Sequence, residues 1–177
     1  MLPATTASHF LPKKILLPVD FSPSSYAALG VGTDLARHFG AELILLTVVP
    51  MFSADKISDE FISTFSPDSV RIDDLEQLGR ITTSLVSRGI KARSKTEVGE
   101  DVVGNIMLTI DKEHIDLLII STHGCSGWRE AFMGSIAEKV VKQIECPLLL
   151  LRSVKPSVKV DDEQKVAGAI LAGSSRH

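Results

Sequence analysis

The sequence predicts an α/β protein built on an open, five-stranded parallel sheet with helices on both faces. Short apolar runs of strand length alternate with longer segments in which apolar residues recur every three or four positions. The apolar runs are mostly unbroken, which is typical of parallel strands covered on both sides. The chain has 177 residues, 44% of them hydrophobic and 23% charged, which is enough to bury the core of one such domain.

The first part of the chain predicts two strands and the helix between them. The first strand is the apolar run at 15–19. Ser22 and Pro23 then form an N-cap followed by proline at the first helical position. Helical periodicity continues to Gly40, which supplies the C-terminal stop. The second strand, 42–49, is unbroken and therefore predicted to be central.

The middle of the chain begins with an irregular stretch. Residues 50–66 mix aromatic side chains with Asp, Ser and Lys, and we interpret them as an insertion with one short helix. The pair Ser66 and Pro67 repeats the helix-start signal, and apolar spacing continues to Gly89. The third strand, 90–98, alternates apolar and polar residues, which favours a position near the edge of the sheet.

The last part of the chain predicts two more helices and two more strands. Asp101 caps the third helix, and the fourth strand is the run at 115–120. A glycine-rich loop leads into the fourth helix, which stops before Pro147 and the fifth strand at 148–151. Strands and helices that alternate in this way indicate right-handed βαβ units.

The domain is predicted to span 13–152. Residues 1–12 form an N-terminal extension, and 153–177 form a tail that we expect to be mobile. The net charge of −3 excludes a strongly basic nucleic-acid binder. No apolar run reaches the roughly 18 residues of a membrane span, and the N-terminus lacks a secretory signal pattern. Two cysteines give no disulfide framework. We therefore expect a cytoplasmic protein with neither nucleic acid nor membrane as a partner.

The loop after the fourth strand carries the strongest functional signal. Ligands of open α/β sheets bind beyond the carboxyl ends of the strands. Gly124 and Gly127 permit a close backbone approach to a ligand, and Gly134 with Ser135 opens a helix whose first N–H groups can hold an anion. Either this segment binds a phosphate, with the Ser135 hydroxyl adding a bond, or the glycines only permit a turn and Ser135 only caps its helix.

The end of the first strand offers a second candidate, Asp20. A carboxylate there can accept hydrogen bonds from a ribose or a base, or face a metal. It can equally cap the first helix, and one use does not exclude the other. The P-loop pattern, the dinucleotide fingerprint, H-E-x-x-H and G-x-S-x-G are all absent.

Taken together, these residues resemble the universal stress protein family and its nucleotide-binding branch. That branch carries G-x-x-G, nine residues, and then G-[ST] after the fourth strand. Here Ser121-Thr-His-Gly124, nine residues, and Gly134-Ser135 match every fixed position except the first. The similarity covers 13–152 apart from the insertion, and it includes the ends of the first and last strands.

The resemblance implies a Rossmann-like, adenine nucleotide alpha hydrolase-like fold with a site for ATP or AMP, and Mg²⁺ held mainly by phosphate oxygens. By position, Pro18 and Val19 would line the base pocket, Asp20 would face the ribose and adenine, and the backbone of Val48 would bond the adenine edge. The phosphates would be held by Gly124, Gly134, Ser135 and the N–H of Ile136, with His123 close by and Ser121 at the first position of the motif. Ser121 replaces a glycine, and because serine is small we expect weakened rather than abolished binding. Cys125 stands where many relatives have Arg or Lys, which removes a positive charge from the phosphate loop and disfavours the triphosphate.

Three functional hypotheses remain from the sequence. The first is a nucleotide-binding regulatory protein of the stress response with little or no catalysis. The second is a slow ATPase or self-phosphorylating protein, with Asp20 and His123 as its only plausible helpers. The third is a nucleotide-free dimer that acts through an unknown protein partner. The resemblance also implies a homodimer joined through the last strand, 148–152, whose exposed apolar edge would otherwise be a hazard.

Overall fold

The computed structural model describes residues 10–49, 67–122 and 134–152. Strands and helices alternate as the sequence predicts. They are β1 (Lys14–Pro18), α1 (Pro23–Phe39), β2 (Glu42–Val49), α2 (Pro67–Ser87), β3 (Ala92–Val98), α3 (Val102–Glu113), β4 (Leu117–Ser121), α4 (Ser135–Gln143) and β5 (Leu148–Leu151). The predicted insertion, both predicted terminal segments apart from 10–12, and the glycine-rich loop at 123–133 lie outside the described residues.

The five strands form one parallel sheet in the order β3-β2-β1-β4-β5. This confirms the predicted fold class, and it places β3 at an edge, as its alternating pattern indicates. The chain adds strands outward from β1 to β3 and then returns to the other side of β1 to add β4 and β5. The strand order therefore reverses between β1 and β4.

The core consists of two apolar layers, one on each face of the sheet. Helices α1 and α2 cover one face, and α3 and α4 cover the other. The central strands supply side chains to both layers and are fully buried, which explains their unbroken apolar runs. Members of the first layer include Leu17, Leu45 and Ile119, and members of the second include Leu16, Ile44 and Leu118. Each such side chain contributes about 1.5–3 kcal/mol by leaving water.

The caps predicted at Ser22, Gly40 and Asp101 are confirmed, whereas Ser66 lies outside the described residues. The Ser22 hydroxyl accepts a hydrogen bond from the backbone N–H of Ser25 at the start of α1. Gly40 ends that helix with φ 65°, a left-handed conformation that glycine adopts without steric cost. Asp101 caps α3 by accepting from the N–H of Gly104 at 2.9 Å. None of the described helices is long and apolar enough to cross a membrane.

The edge strand β3 carries a network of ion pairs on the face that it shares with α3. Arg93 contacts Glu42 at 2.8 Å and Glu113 at 2.7 Å, and Lys95 contacts Glu113 at 3.3 Å. The hydrogen bond from Arg93 is the main cause that holds the pKa of Glu113 below its ordinary value. Charged side chains on an edge strand oppose pairing with another sheet. The β3 edge is therefore protected in a way that the all-leucine β5 edge is not.

Two glycines of α1 have different surroundings and give a test of its packing. A β-carbon at Gly30 would meet no atom within 4 Å, whereas one at Gly32 would lie 2.8 Å from Cδ1 of the buried Leu17. Alanine brings the same gain in helix propensity at both positions, about 0.5–1 kcal/mol. We expect Gly30→Ala to raise the free energy of unfolding by that amount and Gly32→Ala to be about 1–3 kcal/mol less stable than Gly30→Ala. Denaturant unfolding measures both, and equal stabilities would contradict the close packing of α1 on β1.

Candidate functional site

The candidate site lies where the carboxyl ends of β1, β2 and β4 meet, at the point where the strand order reverses. Open α/β sheets bind their ligands in the crevice at such a point. Eight of the ten residues predicted for the site are described, and all eight lie at this edge of the sheet. Four stand at the ends of β1 and β2, namely Pro18, Val19, Asp20 and Val48, and four at the end of β4 and the start of α4, namely Ser121, Gly134, Ser135 and Ile136. His123 and Gly124 lie outside the described residues.

The ladder between β1 and β4 ends early, and Pro18 contributes to this. Strand β1 pairs with β2 as far as Pro18, but its register with β4 ends at Leu16. The carbonyl of Lys14 accepts from the N–H of Asp116, directly before β4, so even-numbered residues of β1 face that strand. Pro18 shares this orientation and has no N–H to donate. The two strands are therefore not joined by a backbone hydrogen bond from Pro18, and their pairing ends at the position where open α/β sheets form their ligand crevice.

A tight turn follows β1 and fixes the orientation of Asp20. The Asp20 Oδ1 atom accepts from the Ser22 N–H at 3.1 Å and from the Ser22 hydroxyl at 2.6 Å. Phe21, between them, has φ 59°, an uncommon conformation for a residue with a side chain. Ser22 is thus the cap of α1, and Asp20 supports the cap through one oxygen. The carboxylate is exposed at the mouth of the crevice.

The end of β2 directs backbone groups of Val48 toward the same crevice. The carbonyl of Leu46 accepts from the Val19 N–H at 2.8 Å, whereas the carbonyl of Val49 accepts from the Gly99 N–H beyond β3 at 3.0 Å. Residues of β2 therefore alternate between the β1 side and the β3 side. Val48 faces the β1 side, where β1 has already ended. In the described part of the chain, neither its N–H nor its C=O has a backbone partner from β1.

The start of α4 is tied to the end of β4 across the glycine-rich loop. Gly134 is the N-cap, with φ −68° and ψ 155°, and its N–H donates to the carbonyl of Thr122 at 2.7 Å. Ser135 is the first helical residue, so the alternative in which Ser135 caps the helix is wrong. No sequence pattern indicates the part played by Thr122, because a backbone carbonyl is common to every residue type.

The first turn of α4 presents backbone N–H groups that the helix itself cannot use. The first intrahelical donor is the Glu138 N–H, which reaches the carbonyl of Gly134 at 3.0 Å. The N–H groups of Ser135, Ile136 and Ala137 precede it and have no acceptor in the helix. No side chain caps this end, and no described residue accepts from these three groups. Together with the helix dipole, they form a place for an anion.

The charges next to this helix end are balanced. Glu138 is the one acidic residue in the first turn of α4, and it pairs with Lys142 at 2.7 Å. The hydrogen bond from Lys142 holds the pKa of Glu138 below its ordinary value, which favours the ionised carboxylate. Within the described ranges, no group of three His, Cys, Asp or Glu side chains could hold a metal ion.

Comparison with known proteins gives a consistent picture. The family model described as "Universal stress protein family" matches residues 12–152 of this chain. Universal stress protein MJ0531 of Methanocaldococcus jannaschii is 29% identical over 144 residues, which are 81% of this chain and 84% of that protein.

Solved structures agree with the fold. The structure of protein MJ0577 from the same archaeon has a TM-score of 0.70 and 26% identity, and the match covers 82% of this chain and 99% of that one. A universal stress protein from Archaeoglobus fulgidus, solved in complex with dAMP, has a TM-score of 0.54 and 19% identity over 79% of this chain and 98% of that one.

Proposed function

The chain belongs to the universal stress protein family, and on that basis we propose that it binds an adenine nucleotide, AMP or ATP, as a regulatory protein of the stress response. One observation carries the proposal. The three N–H groups at the start of α4 lack acceptors in the described structure, and they lie at the sheet edge where the order of strands reverses. This is the type of site at which open α/β proteins hold phosphates.

The phosphates are assigned to the start of α4. An anion there accepts hydrogen bonds from the N–H groups of Ser135 and Ile136, and the Ser135 hydroxyl, which is exposed, adds another. Gly134 leaves the approach open, because it has no side chain. His123, Gly124 and Ser121 belong to the same proposed cradle by their place in the motif. Mg²⁺ enters with ATP and is coordinated mainly by phosphate oxygens and water.

The adenosine is assigned to the ends of β1 and β2. Adenine carries a hydrogen-bond donor, N6, beside an acceptor, N1, and the backbone C=O and N–H of Val48 offer the complementary pair. Pro18 provides apolar surface for the base, whereas Val19, predicted to line the same pocket, is buried in the core. The Asp20 carboxylate accepts from the ribose hydroxyls. The complex of the Archaeoglobus fulgidus protein with dAMP supports the choice of an adenine nucleotide.

The decisive experiment is identification of the nucleotide that the protein holds, followed by titration. We expect denaturation of the purified protein to release AMP or ATP, detected by mass spectrometry. Calorimetric titration of the emptied protein with AMP and with ATP·Mg should then show saturable heat. Absence of both bound nucleotide and heat at millimolar ATP would remove the proposal. Product analysis in the same samples distinguishes a binder from a slow ATPase.

We also propose that two copies of the chain pair through β5. This strand is a sheet edge of four half-buried leucines, Leu148–Leu151, without the charges that protect the β3 edge. Exposed edges of this kind are normally covered in native proteins. Pairing with the same strand of a second copy gives a closed two-fold interface.

A further inference from the structure

Thr47 is a buried residue next to the proposed base site. It belongs to β2, is 4% exposed, and its hydroxyl donates to the carbonyl of Val19 at 3.2 Å. A buried hydroxyl requires a partner, so some hydrogen bond is expected here. The identity of the acceptor is what matters, because the Val19 carbonyl lies at the point where the ladder between β1 and β2 stops.

In a ladder that continued, the Val19 carbonyl would accept from Val48. Leu46 and Val48 face the same side of β2, and the carbonyl of Leu46 accepts from the Val19 N–H at 2.8 Å. The next bond of a regular parallel ladder would run from the Val48 N–H back to the Val19 carbonyl. That bond is absent from the described structure, and the Thr47 hydroxyl bonds the carbonyl instead.

We propose that Thr47 is a positioning residue that keeps the Val48 N–H available to the base and thereby sets the preference for adenine. The inference rests on the proposed function. Adenine offers an acceptor to the Val48 N–H and a donor to the Val48 carbonyl. Hypoxanthine, the base of IMP, offers a donor and an acceptor in the reverse order, so both contacts become mismatched.

The test compares AMP with IMP on three proteins: the wild type, Thr47→Val and Thr47→Ser. Valine has nearly the same shape as threonine and removes only the hydroxyl, whereas serine keeps the hydroxyl and loses a methyl group. We expect the wild type to prefer AMP over IMP by at least about tenfold. With Thr47→Val, we expect the Val48 N–H to donate to the Val19 carbonyl and so to be lost to the base. AMP affinity should then fall about three- to tenfold, and IMP affinity should change by less than about twofold.

Thr47→Ser is the matched control. It should keep the AMP-to-IMP ratio of the wild type even where it lowers stability, because the hydroxyl is retained. If the role of Thr47 were purely structural, both variants would change the free energy of unfolding and leave the ratio of AMP to IMP affinity unchanged. An unaltered ratio in Thr47→Val, or an equal loss of the ratio in Thr47→Ser, overturns the inference.

A second readout needs no nucleotide. Amide hydrogen exchange, followed by NMR on the empty protein, reports whether the Val48 N–H is bonded. We expect fast exchange at Val48 in the wild type and in Thr47→Ser, and exchange at least about tenfold slower in Thr47→Val. Equal exchange rates in all three proteins overturn the inference even if AMP binds. Conversely, failure of AMP to bind while the exchange rates differ as expected refutes the proposed function alone.

Discussion

Replacing Ser135 with aspartate is expected to weaken nucleotide binding about a hundredfold without lowering stability. The new carboxylate would stand among the N–H groups at the start of α4, where the phosphates are placed. At about 5 Å and an effective dielectric constant near 20, repulsion between two unit charges is about 3 kcal/mol, roughly a hundredfold in affinity. The same carboxylate interacts favourably with the helix dipole, by about 0.3–1 kcal/mol. Calorimetric titration with AMP and a thermal unfolding scan measure the two effects.

The opposite signs of these effects separate a binding role from a structural one. Ser135→Asn is the matched control, since asparagine has the size of aspartate without its charge. It should keep AMP affinity within about tenfold of the wild type, because it removes only one hydroxyl contact. If Ser135→Asp binds AMP as well as Ser135→Asn does, no phosphate lies at this helix end.

If two copies pair through β5 as proposed, replacing Leu150 with proline is expected to convert that dimer into a monomer. The N–H of Leu118 in β4 donates to the carbonyl of Pro147, and the N–H of Thr122, directly after β4, donates to the carbonyl of Leu151. Odd-numbered residues of β5 therefore face β4, and Leu150 directs its N–H to the outer edge. Proline at this position removes a donor from the outer edge while leaving the ladder with β4 intact.

Leu150→Ala is the matched control for this experiment. It loses the same side-chain packing but keeps the N–H. Because a two-fold interface contains the substitution twice, we expect Leu150→Pro to raise the dissociation constant by about a hundredfold or more, whereas Leu150→Ala remains a dimer. Light scattering at micromolar concentration measures the mass of each variant. A wild-type monomer, or a dimer of Leu150→Pro, would contradict pairing through the outer edge of β5.

The elements of the fold could be predicted from the sequence because their signals are local. Ser22 and Gly40 mark the two ends of α1, and the apolar run of β2 shows that both of its faces are covered. The full order of the strands in the sheet could not be predicted from the sequence. The neighbours of β1 are β2 and β4, and the pairing with β4 joins segments about a hundred residues apart, for which no local pattern exists.

The residues of the candidate site could be placed at one sheet edge, but not their hydrogen bonds. Ser135 had two open interpretations, and only the backbone conformation of Gly134 shows which residue is the cap. Residues of β2 alternate between facing β1 and facing β3, and no side chain shows which of the two strands Val48 faces. Thr47 resembles any β-branched residue of a buried strand until the acceptor of its hydroxyl is known.

The imino acid at position 18 has a kinetic consequence. Since its nitrogen carries no hydrogen, Pro18 cannot extend the ladder toward β4 by donating a hydrogen bond when the pocket is empty. A nucleotide that binds as proposed therefore has no hydrogen bond from the Pro18 nitrogen to break. Association should therefore proceed without a slow opening step, with a single fast phase in stopped-flow mixing.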